Sequence, residues 1–291
     1  MKNLKAIKIQ GQIKIKDLPT NIDHNHSKDY LEDALNDIRE ELADLQDRMY
    51  AHNKYSVLIC LQGMDTAGKD SLIREVFKEF NARGVVVHSF KAPQATELEH
   101  DFLWRHYIAL PERGKFGVFN RTYYENVLVT RVNPQFLLNE NLPNIQKVED
   151  VTDAFWANRF ESINAFEKHL INNGTIVLKF YLHLSKEEQR QRLMRRLEKQ
   201  KHQWKFSPGD IKERALWYKY QACYEEILNQ SSTEIAPWYV VPADDKEACR
   251  LMVAQTILET LKQFTDIKEP ELDPKVKADL DMYYQGLKNE Q

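Results

Sequence analysis

Cysteine is scarce: Cys60, Cys223 and Cys249 are the only three in 291 residues, widely spaced and without a C-x-x-C pair. That points away from a disulfide framework and from a thiolate zinc site, and leaves reduced packing residues. The histidines, His24 and His26 included, show no H-E-x-x-H or comparable spacing, so a histidine metal site and an obvious histidine base are both missing. No apolar run approaches the length needed to span a bilayer, and Met1 to Lys16 mixes lysines with single isoleucines where a signal peptide would carry an apolar core. A soluble, cytoplasmic protein with no membrane or nucleic-acid partner is the expectation. The chain lacks internal repeats and low-complexity tracts. Its net charge of −3 leaves polyanion binding open, because 41 basic and 44 acidic residues can be sorted into separate patches. A hydrophobic content of 42% suffices for one α/β core and does not require two domains.

What is present is led by Gly63, Met64, Asp65, Thr66, Ala67, Gly68 and Lys69, which spell G-x-x-x-x-G-K directly after the apolar run Ser56 to Leu61. A strand before and a helix after make this a phosphate-binding loop: glycines let backbone N–H groups face phosphate oxygens, the helix dipole adds positive potential, and Lys69 adds a mobile cation. The hydroxyl residue that usually follows the lysine and ligates Mg²⁺ is replaced by Asp70, and Asp65 stands inside the loop. A carboxylate in a phosphate nest repels phosphate unless a cation lies between them, so Asp65 is a candidate Mg²⁺ ligand. The alternative is a turn residue capping the next helix. Asp70 reads as a charge in the first helical turn.

The pattern predicts a helix from Lys28 to His52 with Ser27 as N-cap, then five strands alternating with helices: Tyr55–Leu61, Val85–Phe90, Phe116–Phe119, Thr175–Leu182 and Trp238–Val241. Helices are expected over Asp70–Arg83 with Gly84 as a stop, Glu97–Leu110, from near Tyr123, Thr152–Asn172, Lys186–Lys199, Pro208–Leu228 and Lys246–Phe264. Residues 131–149 read as a long, mobile surface connection. This alternation specifies an α/β fold with a parallel sheet covered on both faces. We divide the chain into an N-terminal arm (1–28), a phosphotransferase domain (29–266) with a helical lid at about 185–210, and a C-terminal tail (267–291).

Phe116 to Asn126 reads F-G-V-F-N-R-T-Y-Y-E-N, an apolar strand ending where a second metal-site residue is expected beside the phosphate loop. Asn120 takes the place usually held by Asp, so a metal would be held there by a neutral carbonyl or through water, with Asp65 and Glu125 supplying charge. Arg121 can pair with phosphate oxygens at two points; a β-turn with a solvated Arg and Glu is the bland alternative. Between Lys186 and Lys205 eight basic residues face three acidic ones. Arg192, Arg195, Arg196 and Lys199 recur at spacings of three and four and can face one polyanion as a lid, although a solvated helix face is the common explanation of such runs. Arg74, Lys91, Arg105, Arg113, Arg131 and Arg159 fall near strand ends or in polar gaps; each alone suits a salt bridge, and together they suggest more phosphate contacts than one nucleotide requires.

G-M-D-T-A-G-K-D, H-S-F-K-A-P with D-F-L-W-R, F-N-R-T-Y-Y-E-N-V-L-V-T-R-V, W-K-F-S-P-G-D and A-P-W-Y-V-V-P-A-D, in that order, resemble the polyphosphate kinase 2 family over residues 30–264. The resemblance implies a three-layer α/β/α P-loop kinase fold like that of thymidylate kinase, with a helical lid. It also implies Mg²⁺-dependent phosphoryl transfer between inorganic polyphosphate and AMP, ADP or ATP, in a homodimer or homotetramer. Carried over by residue, it puts Asp65 and Lys69 at the phosphate and metal centre, Arg121 on the transferring phosphate, and the lid arginines among Arg192, Arg195 and Arg196. Asn120 with Glu125 resembles the subgroup that accepts both AMP and ADP. The competing readings are an ATP-dependent nucleoside or nucleotide kinase and a P-loop binding module without transfer; the chain has no N-K-x-D element for reading guanine.

Overall fold

The computed structural model describes residues 4–290, apart from the side chain of His202. Six strands form one sheet in the order β1-β6-β5-β2-β4-β3: β1 (Ile7–Lys8), β2 (Ser56–Gly63), β3 (Val85–Ser89), β4 (Phe116–Asn120), β5 (Thr175–His183) and β6 (Trp238–Pro242). The five strands from β2 to β6 run parallel, and β1 pairs antiparallel with β6 through Ile7 and Lys8. All eight residues of β2 are buried, which is why its sequence is a continuous apolar run and not an alternating one.

The pleat divides that run between two cores. Val57, Ile59 and Leu61 pack under the helices Lys28–His52, Lys69–Val76 and Lys246–Leu261. Leu58 and Cys60 pack on the opposite face, under Asp153–Asn172 and Trp217–Ser231. Each fully buried aliphatic side chain contributes about 1.5–3 kcal/mol relative to exposure, so this strand anchors all three layers. The phosphate loop springs from its carboxyl end, between β4 and β5, where open α/β sheets place ligands. Among the described residues, no helix is long and apolar enough to cross a membrane.

Several elements differ from the sequence expectation. The N-terminal arm supplies a sixth strand and buries Leu4, Ile9 and Ile15 against the sheet edge. The helix after the phosphate loop ends at Val76, and Gly84 is no helix stop: a Cβ there would lie 1.9 Å from Gln46 Nε2. Gln46 needs that space, because its amide donates to Asn81 O and accepts from Asn81 N. In place of one helix over 97–110 there are two single turns, Ala95–Leu98 and Trp104–Tyr107, because Asp101 Oδ1 accepts from Leu103 N and opens a fresh turn between them. The expected helix Pro208–Leu228 breaks at Leu216 into Pro208–Ala215 and Trp217–Ser231. Residues 131–149 are not a loose connection. They contain 3₁₀ turns, bury Leu137, and join Glu140 to the buried Arg159, whose guanidinium lies 4.6 Å over the Phe102 ring.

Candidate active site

At the end of β2 the chain must turn sharply without side-chain interference. A Cβ on Gly63 would lie 2.9 Å from Leu182 O of the neighbouring strand, and Gly68 adopts φ +106° as it enters the helix Lys69–Val76. Lys69 folds back over the loop and donates to Gly63 O at 2.6 Å and Met64 O at 3.4 Å. Burial, reinforced by the nearby Arg121 guanidinium, lowers its pKa to about 8, while Asp65, Glu125 and Asp70 pull the other way. An ammonium held on two carbonyls under this strain has much to gain from a phosphate.

Arg121 follows β4 in the left-handed region, φ 63°, a conformation that aims its side chain across the loop. Its Nη2 donates to Asp65 Oδ1 at 2.8 Å and its Nη1 to Glu125 Oε2 at 3.1 Å. Glu125 first, then Asp65, raise the guanidinium's pKa against the opposing effect of burial, so it is charged at any working pH. The turn carrying it is fixed from below. Tyr123 and Tyr124 hydroxyls donate to Glu167 Oε1 at 2.8 and 2.7 Å, and Lys179 Nζ donates to Glu167 Oε2 at 2.7 Å, to Ser231 O and to Tyr124 Oη. The sequence reading missed Glu167 and Lys179. Their signal is a lysine inside the apolar strand T-I-V-L-K-F-Y-L-H, at a position that can be buried only with a partner.

A cavity of about 560 Å³ opens on these groups. Gly63, Met64, Asp65, Arg121 and Glu125 form its polar end; Phe90, Pro93, Leu98 and Leu128 wall an apolar stretch. Tyr220 and Tyr224, also unread in the sequence, complete it beside Glu213, which accepts from the Tyr220 hydroxyl. One ligand can therefore place an anionic group on the loop and a flat apolar group away from it.

The family model for polyphosphate kinase 2 matches residues 25–269. The chain belongs to the polyphosphate kinase 2 family. It is 47% identical over 263 residues, 90% of either chain, to the ADP-polyphosphate phosphotransferase of Rhodopseudomonas palustris. It is 42% identical over 230 residues, 79% of this chain and 80% of the other, to the AMP/ADP-polyphosphate phosphotransferase of Meiothermus ruber. Its fold matches the crystal structure of polyphosphate kinase 2 from Arthrobacter aurescens TC1 with a TM-score of 0.86 at 33% identity, covering 96% of this chain and 95% of that one.

In this polyphosphate kinase 2 chain the remaining basic residues divide sharply. Lys91 and Arg105 line the cavity; Arg105 pairs with Glu97 at 3.3 Å and lies 5.1 Å over the Phe90 ring, and burial lowers its pKa. Arg74, Arg113 and Arg131 do not line it. Arg74 is exposed and turned onto Glu75; Arg113 donates to Lys54 O, at the opposite end of β2; Arg131 pairs with Glu226 and stacks over Trp156. Arg113, just ahead of β4, lies at the end of the parallel sheet away from the phosphate loop, whereas Lys91, just after β3, lies at the loop end.

The lid arginines also separate. Arg195 is half exposed and touches Glu188, and Arg196 pairs with Asp210 of the helix Pro208–Ala215 at 3.1 Å. Arg192 is buried and points the other way, onto backbone carbonyls of Thr66, Ala67, Ala243 and Asp244, so the expected three-arginine face is not formed.

The Mg²⁺ ligands expected from sequence are Asp65, Asn120 and Glu125. Asp65 and Glu125 line the cavity together, each with one oxygen on Arg121. Asn120 does not line it: its Nδ2 donates to Asp70 Oδ1 at 2.6 Å and to Ser89 Oγ at 3.4 Å. Among the described residues no three His, Cys, Asp or Glu side chains converge as a closed metal cage. Two carboxylates on the wall of the cavity beside the glycine-rich loop fit Mg²⁺, which takes one or two protein carboxylates and completes its shell with phosphate oxygens and water.

Proposed function

We propose that this chain transfers the terminal phosphoryl group of inorganic polyphosphate to AMP and to ADP, reversibly, with Mg²⁺ as cofactor, as a cytoplasmic homodimer or homotetramer. The observation that carries the chemistry is Arg121 held between Asp65 and Glu125 at the mouth of the phosphate loop, with Lys69 behind it. The names of the R. palustris and M. ruber relatives support polyphosphate as donor and adenine nucleotides as acceptors. Acceptance of AMP besides ADP rests on the family resemblance carried by Asn120 and Glu125, of which only Glu125 lines the cavity, and on the AMP/ADP in the M. ruber relative's name.

The attacking oxygen is an anionic phosphate oxygen, so the reaction needs no strong base. His106, beside the cavity, fits that requirement: burial lowers its pKa to about 3, which leaves it neutral and unable to serve as a base of ordinary strength. The work is to bring two polyanions end to end. Lys69 and the loop hold one phosphate, Arg121 presents two donors to the group in transit, and the apolar walls exclude water that would compete as acceptor. Bound Mg²⁺ supplies neutralisation of the developing charge, with Asp65 and Glu125 as the side chains that would hold it.

The test is incubation of the full chain with long-chain polyphosphate, Mg²⁺ and either AMP or ADP, following ADP and ATP beside Lys69→Ala. ATP from both acceptors, lost in the variant, is the expected result. ATP from ADP alone removes the AMP assignment, and transfer only with ATP as donor replaces the reading by an ATP-dependent kinase.

A further inference from the structure

Three consecutive carbonyls of the phosphate loop are held by two side chains one helical turn apart. Gln189 Nε2 donates to Asp65 O at 3.0 Å, and Arg192 Nη1 donates to Thr66 O at 3.0 Å and Ala67 O at 3.1 Å. Both side chains are buried in the first half of the helix Lys186–Glu198. Arg192 Nη2 reaches the other way, to Ala243 O at 2.7 Å and Asp244 O at 2.9 Å just beyond β6, and its Nε donates to Glu188 Oε1 at 2.7 Å. A guanidinium has five N–H bonds, and these contacts occupy them all. Gln189 is fixed in turn by Arg214 Nη1, which donates to its Oε1 at 2.8 Å and to Lys186 O at 2.8 Å.

The geometry has a direct effect on anion binding. In a planar trans peptide the carbonyl and the next N–H point in opposite directions. Anchoring the carbonyls of Asp65 and Ala67 therefore turns the N–H groups of Thr66 and Gly68 away from the lid helix, while Ala67 N–H closes the loop onto Met64 O. Thr66 is held at φ 67°, a left-handed conformation that a β-branched residue rarely adopts, and its carbonyl is one of those Arg192 grips.

We propose that Gln189 and Arg192 are positioning residues for phosphoryl transfer, holding the loop in its anion-binding shape and tying it to the root of the lid. Arg192 then touches no phosphate. Only the part of the helix beyond Leu193, with Arg195 and Arg196, serves as the moving lid. The inference rests on the phosphotransferase reading above.

The test uses Arg192→Lys, Arg192→Met and Gln189→Leu in the full chain, with two readouts: kcat and KM for long-chain polyphosphate, and hydrogen exchange of the peptide spanning residues 63–69. Expected are a kcat lowered roughly ten- to hundredfold, as for small misplacements of a reacting group, a KM changed by less than about threefold, and faster exchange in the loop with the β2 and β5 core unchanged. Arg192→Lys should be no better than Arg192→Met, because an ammonium cannot reach carbonyls on two sides in a fork. Retention of wild-type kcat by Arg192→Lys, or a raised KM at unchanged kcat, would assign Arg192 to polyphosphate contact and overturn the proposal. So would unchanged loop exchange. If the Arg192 variants do not fold, Gln189→Leu carries the same comparison. If the wild-type chain transfers no phosphate, the phosphotransferase reading fails, and loop exchange still decides whether these side chains hold the loop.

Discussion

Arg121 Nη2 lies 2.8 Å from Asp65 Oδ1, so the G-x-x-x-x-G-K loop and the strand end that faces it are joined by one ion pair across the cavity mouth. Glu125 holds the second amino group at 3.1 Å. The guanidinium is thereby kept charged and oriented before substrate arrives, which is the preorganisation phosphoryl transfer needs. Arg121→Lys retains a charge but cannot bridge two carboxylates and a phosphoryl group together. Its kcat should fall roughly 10²–10³-fold, the usual cost of removing a donor to developing charge. Steady-state kinetics with ADP check this, and a variant within threefold of wild type would remove Arg121 from the transferring group.

Asp65 and Glu125 are also the side chains suited to Mg²⁺. Chelation with EDTA should abolish transfer and excess Mg²⁺ should restore it. Asp65→Asn should raise the Mg²⁺ concentration for half-maximal activity by about tenfold or more, the scale on which altering a metal's immediate surroundings acts. Mg²⁺ titrations of the variant and wild type decide the point. An unchanged requirement would leave Asp65 as a partner of Arg121 alone.

The buried network under the site makes a separate prediction about stability. Lys179 and Glu167 are almost completely buried and pair at 2.7 Å, and the Tyr123 and Tyr124 hydroxyls share the same carboxylate. Removing one partner leaves an uncompensated charge in the core, at a cost of about 3–5 kcal/mol. Lys179→Met and Glu167→Gln should each lower the urea midpoint accordingly, and the double variant should lose less than the sum. Strict additivity in that cycle would show that the pair does not act as a unit.

The parts of this molecule legible in sequence are those where local pattern and final environment agree. The run S-V-L-I-C-L-Q-G is apolar because both faces of β2 are covered, and G-M-D-T-A-G-K follows it because the turn needs glycine at both ends. Where distant elements decide, pattern misleads. Gly84 looks like a helix stop but makes room for Gln46. Helical spacing puts Arg192 with Arg195 and Arg196, yet only the packing of the phosphate loop and the residues just beyond β6 against one side of that helix separates the buried Arg192 from the exposed Arg195 and the partly buried Arg196. Lys179 and Glu167 meet across two layers, so neither signals the other in sequence.

Lys69 gives the sharpest pH prediction. Its pKa is lowered from 10.5 to about 8, chiefly by burial. Between those values the unfolded chain keeps a proton that the folded chain has lost, so unfolding takes up protons and stability rises with pH across that window. Below about pH 8 both states are protonated and the cost of burying the charge is present in full. At about 1.36 kcal/mol per pKa unit, the shift corresponds to roughly 3 kcal/mol of pH-dependent stability. Lys69→Met lacks this group, so the unfolding free energy of wild type relative to Lys69→Met should climb from pH 8 towards 10.5. In kinetics, kcat/KM should fall above about pH 8 as the free enzyme loses the cation, whereas kcat should hold to higher pH because bound phosphate favours the ammonium. Denaturant titrations and pH–rate profiles measured together test both halves. A flat stability difference across the window would mean that the lysine titrates normally, and parallel falls of kcat and kcat/KM would mean that phosphate does not sit against it.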